Sequence, residues 1–173
     1  MLYLHCTAKL AKAARAKLEH APESDGLHWL DCWYAKLVPL SRSTDLVLFT
    51  NARSLYSIVI PQPSGSITFF AVVLEFSQKL RAVLASLGAD EGTISTAVER
   101  HRQFVTCKTA SRSILGSMNE MAFCLQQYAW RKAEETREIG IEDLEGMLNT
   151  MPLSPLGYRF PVDAFLELLA TKD

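Results

Sequence analysis

The sequence predicts an α+β domain: an antiparallel sheet of about five strands covered by two long helices, mainly on one side, with extra short helices. Three observations carry that expectation. Residues 29–60 hold three runs rich in β-branched and aromatic residues, separated only by SRSTD and NARS. Connectors that short demand antiparallel neighbours, because a parallel crossover needs a dozen residues or more. Residues 67–87 and 112–138 instead repeat apolar residues at helical spacing. The length, 173 residues with 49% hydrophobic and 21% charged, suits one domain over residues 1–173, large enough to fold without a disulfide or a metal.

Taken in order, Leu2 to Cys6 is a short run of strand formers. Thr7 can cap a helix over residues 8–19, which holds five alanines and places Leu10, Ala14 and Leu18 on one face. APESDG at residues 21–26 is turn chemistry. Strands follow over residues 29–40, 46–51 and 55–60, with Pro61 stopping the third. QPSGS is a loop whose Ser66 can cap the first long helix. Phe69, Val73, Phe76, Leu80, Val83 and Leu87 recur along that helix, and Gly88 ends it. A short helix is expected over residues 93–101 and a fifth strand over 103–108. The second long helix spans residues 112–138, with Leu115, Met118, Ala122, Leu125 and Ala129 on its apolar side. Helical turns at residues 141–147, an irregular MPLSPLG and a final helix over residues 162–169 complete the chain.

Composition excludes several classes. The net charge of −1 argues against bulk coating of nucleic acid. The longest apolar stretch, residues 67–76, is interrupted by Thr68 and Glu75 and falls short of a membrane span. Cys6, Cys32, Cys107 and Cys124 form no CxxC pair, so neither a zinc ribbon nor a thioredoxin-like site is expected. They read as small buried hydrophobes in a reducing cytoplasm, and no metal or cofactor is expected. The N-terminus reads as mature structure rather than a targeting segment.

The most distinctive stretch is residues 108–120, KTASRSILGSMNE. A strand ending at Lys108 runs through a turn rich in hydroxyl and small side chains into a helix start, where backbone N–H groups and the helix dipole favour an anion. Lys108, Ser111, Arg112, Ser113 and Asn119 are the candidate ligand-binding residues. Between Glu99 and Glu120 lie Arg100, Arg102, Lys108 and Arg112 with no acidic residue. The bland alternative is ordinary caps and solvated cations. Arg112, Gly116 and Asn119 share a helix face. Gly116, unfavourable in a helix, marks either close packing or a pocket wall. The GxxxxGK[ST] and GxSxG patterns are absent, which disfavours nucleotide hydrolysis of the phosphate-loop type and a serine hydrolase. His5, on the first strand, is the candidate catalytic acid–base, against the commoner role of a structural hydrogen-bonder.

LHCTAKL, WYAKLVPL followed by LVLFTNARSLYSIVIP, and KTASRSILGSMNEMAF together resemble an uncharacterised bacterial domain family of unknown function. The resemblance spans most of the chain and is most specific in SRSILGSMNEM. His5, Thr7, Lys9, Asn51, Arg112, Ser113, Leu115, Gly116, Met118 and Asn119 match its signature. It implies a single bacterial cytoplasmic domain and brings no activity.

The leading expectation is therefore a cytoplasmic binding or interaction domain of unknown ligand, with an anion-binding site at the turn formed by residues 108–112. One alternative is a phosphodiester- or nucleotide-directed enzyme using His5, Lys108 and Arg112. Another is a regulatory protein partner acting through an acidic C-terminal third, since residues 1–112 carry 13 Lys+Arg and 9 Asp+Glu whereas residues 113–173 carry 5 and 10. The expected partners are an anionic ligand or nucleic acid, with self-association as the remaining option and no membrane.

Overall fold

The computed structural model describes residues 1–22, 26–65, 67–135 and 140–171. Five strands, β1 (Leu2–Cys6), β2 (Cys32–Pro39), β3 (Thr44–Asn51), β4 (Ser57–Pro63) and β5 (Phe104–Lys108), form one sheet in the order β4-β3-β2-β1-β5. Six helices accompany them: α1 (Ala8–Ala13), α2 (Phe69–Ser86), α3 (Glu91–Arg100), α4 (Arg112–Glu134), α5 (Ile141–Asn149) and α6 (Pro161–Ala170).

The sheet is mixed, which corrects the antiparallel expectation. β2, β3 and β4 form the antiparallel meander that their short connectors require. β1, however, pairs in parallel with both β2 and β5. The reason is connection length: residues 7–31 separate β1 from β2 and include α1, enough chain for a crossover. The link from β4 to β5 carries α2 and α3.

The two long helices cover opposite faces rather than mainly one. α2 packs Val72, Val73, Phe76 and Leu80 against Leu4, Trp33, Phe49 and Ile58. Phe76 stacks on Phe49 with ring centroids 4.2 Å apart and meets Trp33 edge-on at 4.9 Å. α4 sets Met118, Met121, Ala122 and Leu125 against Tyr34, Leu48 and Val59, joined by Leu144 and Leu148 of α5. Strand alternation gives the sheet two inward faces; β1 to β4 each have residues buried on both, whereas the edge strand β5 buries only Cys107.

Local boundaries shift where tertiary bonds outcompete propensity. α1 ends at Ala13, not residue 19: Arg15 adopts φ 52° and the chain turns to pair with the outer edge of β5. Glu19 there accepts from Lys108 N–H at 2.9 Å and donates to the Thr106 carbonyl at 2.8 Å. Residues 29–31 form a 3-10 turn, with the His28 ring accepting from Leu30 N–H at 3.2 Å. β4 continues through Pro61 to Pro63, tolerated because it is an edge strand. Leu55, expected in that strand, instead occupies the turn before it with φ 58°. Asn51 organises this turn: its Oδ1 accepts from Arg53 N–H, Ser54 N–H and Ser54 Oγ at 3.0–3.1 Å, and its Nδ2 donates to the Trp29 carbonyl at 2.8 Å. The expected Ser66 cap and the end of the second long helix beyond residue 135 lie outside the described residues. α3 begins at Glu91 rather than Thr93, capped by Asp90, whose carboxylate accepts from Thr93 N–H at 2.9 Å.

This topology prepares a site. β1 and β5 end side by side, with Cys6 opposite Lys108. α1 leaves β1 toward one face, burying Leu10 and Ala11 in the first core, while α4 leaves β5 onto the other. Adjacent parallel strands whose following helices diverge leave a crevice at their carboxyl ends, the usual ligand position in α/β sheets.

Candidate functional site

A cavity of about 1170 Å³ opens beside this crevice, on the face that α4 covers. His5 and Tyr34, paired on the sheet, form part of its floor, and Lys108, Thr109, Ala110, Ser111, Arg53 and His20 also line it. Parallel register puts the floor together: Tyr34 lies opposite His5 across β1 and β2, and Cys107 lies opposite His5 on the other side. Neighbours in register project to one face.

His5 is 4% exposed and held at two points. Its ring stacks on Tyr34, with centroids 4.5 Å apart and planes 11° from parallel. Its Nδ1 lies 2.9 Å from the Lys108 carbonyl, which only accepts, so Nδ1 carries the proton. Burial lowers the imidazole pKa below its usual value, against a smaller upward pull from that carbonyl. The ring is then neutral near pH 7, with Nε2 bearing a lone pair and no hydrogen-bond partner among the described residues. Tyr34 closes the chain of contacts: its hydroxyl oxygen accepts from Ser111 N–H at 3.0 Å. Burial raises the phenol's pKa, with an opposing downward pull from that same N–H. Ser111 in turn caps α4, its Oγ accepting from Ile114 N–H at 3.3 Å.

The described lining contains Lys108, Arg53 and two histidines and no carboxylate. Arg53 is held toward the cavity through a 2.8 Å bond from Nη2 to the Leu27 carbonyl. Such a surface favours an anion that also offers a donor to His5 Nε2.

Of the sequence-level candidates, His5, Lys108 and Ser111 therefore line one cavity. Arg112, Ser113 and Asn119 do not line it; they stand exposed on α4. Asn119 Oδ1 accepts instead from Lys36 Nζ. An added Cβ at Gly116 would meet nothing within 4 Å, so close packing does not explain that glycine, and it lines no part of the cavity. The run of cations before Lys108 is opposed in space: Arg100 pairs with Asp31, and Arg102 with Glu99 at 3.0 Å. His101 is buried, donating from Nε2 to the Leu30 carbonyl at 3.0 Å.

Sequence reasoning missed Tyr34, Arg53 and His20. Tyr34 becomes visible only once β1 and β2 are paired in parallel; Arg53 sat in what read as a polar connector. Among the described residues no group of three or more His, Cys, Asp or Glu is placed to hold a metal ion, and no helix is long and apolar enough to cross a membrane. All four cysteines are unpaired; burial pushes the Cys6 thiol up to about 12 and the Cys32 thiol up to about 11, with a smaller upward push on each from Cys107.

The fold and the site define an α+β domain with a five-stranded mixed sheet and a polar cavity at the end of its parallel part. The chain matches, over residues 3–164, the family described as Domain of unknown function (DUF6933), and it belongs to that family. The comparisons with curated proteins and with solved structures each returned no match.

Proposed function

We propose that the protein is a single-domain bacterial cytoplasmic binding protein that takes a small anionic ligand into the cavity between His5 and Lys108. One observation carries the reading: a buried, neutral imidazole of defined tautomer presents an unpartnered Nε2 in a cavity whose described charged lining is cationic. Lys108 and Arg53 supply the charge, and Ser111 a cap hydroxyl beside them. Arg112, on the first turn of α4, contributes at longer range through the field at the helix start. The cytoplasmic placement is supported by four unpaired cysteines.

The test is an amide NMR titration with inorganic phosphate at low ionic strength. Shifts concentrated at residues 5, 53 and 108–111, weakened in Lys108→Gln and abolished in the Lys108→Gln/Arg53→Gln double variant, are expected. Shifts spread over the surface, or unchanged in the double variant, would overturn the reading.

The same imidazole favours a second reading, a phosphodiester- or nucleotide-directed enzyme. In this reading the neutral Nε2 accepts a proton while Lys108, which lines the same cavity, holds phosphate. Cleavage of bis(p-nitrophenyl) phosphate that is lost in His5→Gln, with phosphate binding retained, would favour it; inert wild-type protein would sink it.

A further inference from the structure

A second cavity, of about 330 Å³, lies on the far face of the sheet between α2, α3 and β5. Its walls are apolar: Phe70, Leu74 and Val98 are 66%, 51% and 37% exposed, and Phe104 and Val73 form the floor. Solvated hydrophobics scattered singly need no explanation, but three lining one concavity do. Phe70 and Phe104 bring their rings to 6.5 Å at one end.

The other end is cationic. Phe70, Leu74, Gln78 and Arg81 follow one another along the same face of α2, so Arg81 lies about 16 Å of helix rise from Phe70. Arg81 is exposed and has no ion-pair partner among the described residues, whereas Arg102 on the opposite wall is already engaged by Glu99. The described lining includes no carboxylate. A guanidinium is weakly hydrated and matches a carboxylate through two parallel hydrogen bonds.

We infer that this groove binds a medium-chain carboxylate amphiphile, its chain between Phe70, Leu74 and Val98 and its carboxylate on Arg81. The volume is at the low end for small-molecule sites, which are largely apolar with few polar groups that fix orientation. The span from the aromatic end to Arg81 matches an extended dodecyl chain. This site is separate from the His5 cavity and does not depend on the function proposed for it.

Titration calorimetry with monomeric dodecanoate, paired with dodecyltrimethylammonium of the same chain length, tests the inference. Dodecanoate should bind and the cationic amphiphile should bind far more weakly. Arg81→Gln should weaken dodecanoate about tenfold, the scale of one charge-assisted contact. Leu74→Asp, at an exposed position that leaves the core intact, should abolish binding, and Lys108→Gln should leave it unchanged. Absence of dodecanoate binding, equal affinity for both amphiphiles, or indifference to Arg81→Gln and Leu74→Asp would each overturn it.

Discussion

The carboxamide of Asn149 closes a two-point ring with the backbone of Ser57: Oδ1 accepts from its N–H at 2.7 Å and Nδ2 donates to its carbonyl at 2.8 Å. A side chain of α5 thus replaces the strand that β4, at the sheet edge, lacks. Both groups are buried, so water cannot substitute. Asn149→Ala should cost about 2–3 kcal/mol by orphaning both backbone groups, a fall in melting temperature of about 5–10 °C for a chain of this size. Asn149→Asp retains the acceptor but sets a carboxylate oxygen against the Ser57 carbonyl. Its deficit should shrink as the carboxylate protonates, which calorimetry at pH 7 and about pH 4 would reveal; an equal deficit at both would refute the ring's importance.

Two residues further along β4, the clasp becomes ionic. Glu145 Oε1 accepts from Val59 N–H at 2.8 Å, Lys79 Nζ donates to the Val59 carbonyl at 3.2 Å, and the two side chains meet at 2.6 Å. Lys79 comes from the helix on one face and Glu145 from the helix on the other, so the pair bridges both layers around the edge strand. Glu145→Ala should lose about 2 kcal/mol, more than an exposed pair is worth, because Val59 N–H loses its acceptor. Glu145→Gln, which keeps an acceptor, should lose about 1 kcal/mol. Equal losses in urea titrations would mean that the backbone bond contributes little.

What the sequence made legible follows from how far apart the causes lie. The β2–β3–β4 meander and both long helices rest on short connectors and on periodicity within a window, and they occur in the expected order, although the helices take opposite faces of the sheet and Leu55 falls outside β4. The pairing of β1 rests on neither, since long connections allow either direction, and the parallel register of His5 with Tyr34 is invisible without it. The strand–turn–cap at Lys108 and Ser111 was readable because Ser111 caps locally. Arg100 looked unopposed because its partner Asp31 lies 69 positions away. An alanine-rich segment promised a long first helix, but Arg15 turns the chain so that Glu19 can bond β5, and intrinsic propensity is too weak to resist.

His5 and His101 make the fold sensitive to acid. Burial lowers both pKa values; the Lys108 carbonyl opposes this at His5, and chiefly the Leu30 carbonyl at His101. Above the unfolded value of about 6.5 both states hold neutral rings and no cost arises. As pH falls through that value the unfolded chain takes up protons that the folded chain resists, so stability drops on acidification. Denaturant midpoints should decline from about pH 7 to 5.5. The slope should flatten in a His5→Gln/His101→Gln variant, and a slope unchanged in that variant would assign the effect elsewhere.

Gly116 offers a gain. It is exposed in the interior of α4, and a Cβ there meets nothing within 4 Å. Gly116→Ala should stabilise by about 1 kcal/mol through helix propensity alone, visible as a higher melting temperature. Phosphate affinity should not change, because the residue is remote from the cavity lining. A loss of affinity would instead return the exposed face of α4, with Arg112 and Asn119, to the binding site.

Tyr34→Phe separates the two things that residue does. The ring stacked on His5 remains, while the hydroxyl that receives Ser111 N–H is lost. Stability should fall by about 1 kcal/mol, the worth of one partly buried hydrogen bond. Phosphate binding should weaken more than stability does, since the turn carrying Lys108 and Ser111 loses its tie to the sheet and binding must then reorder it. The His5 imidazole resonances should keep their titration midpoint, because its burial and its bond to the Lys108 carbonyl are retained. A shifted midpoint with unaltered phosphate affinity would show that the hydroxyl acts on the imidazole rather than on the turn.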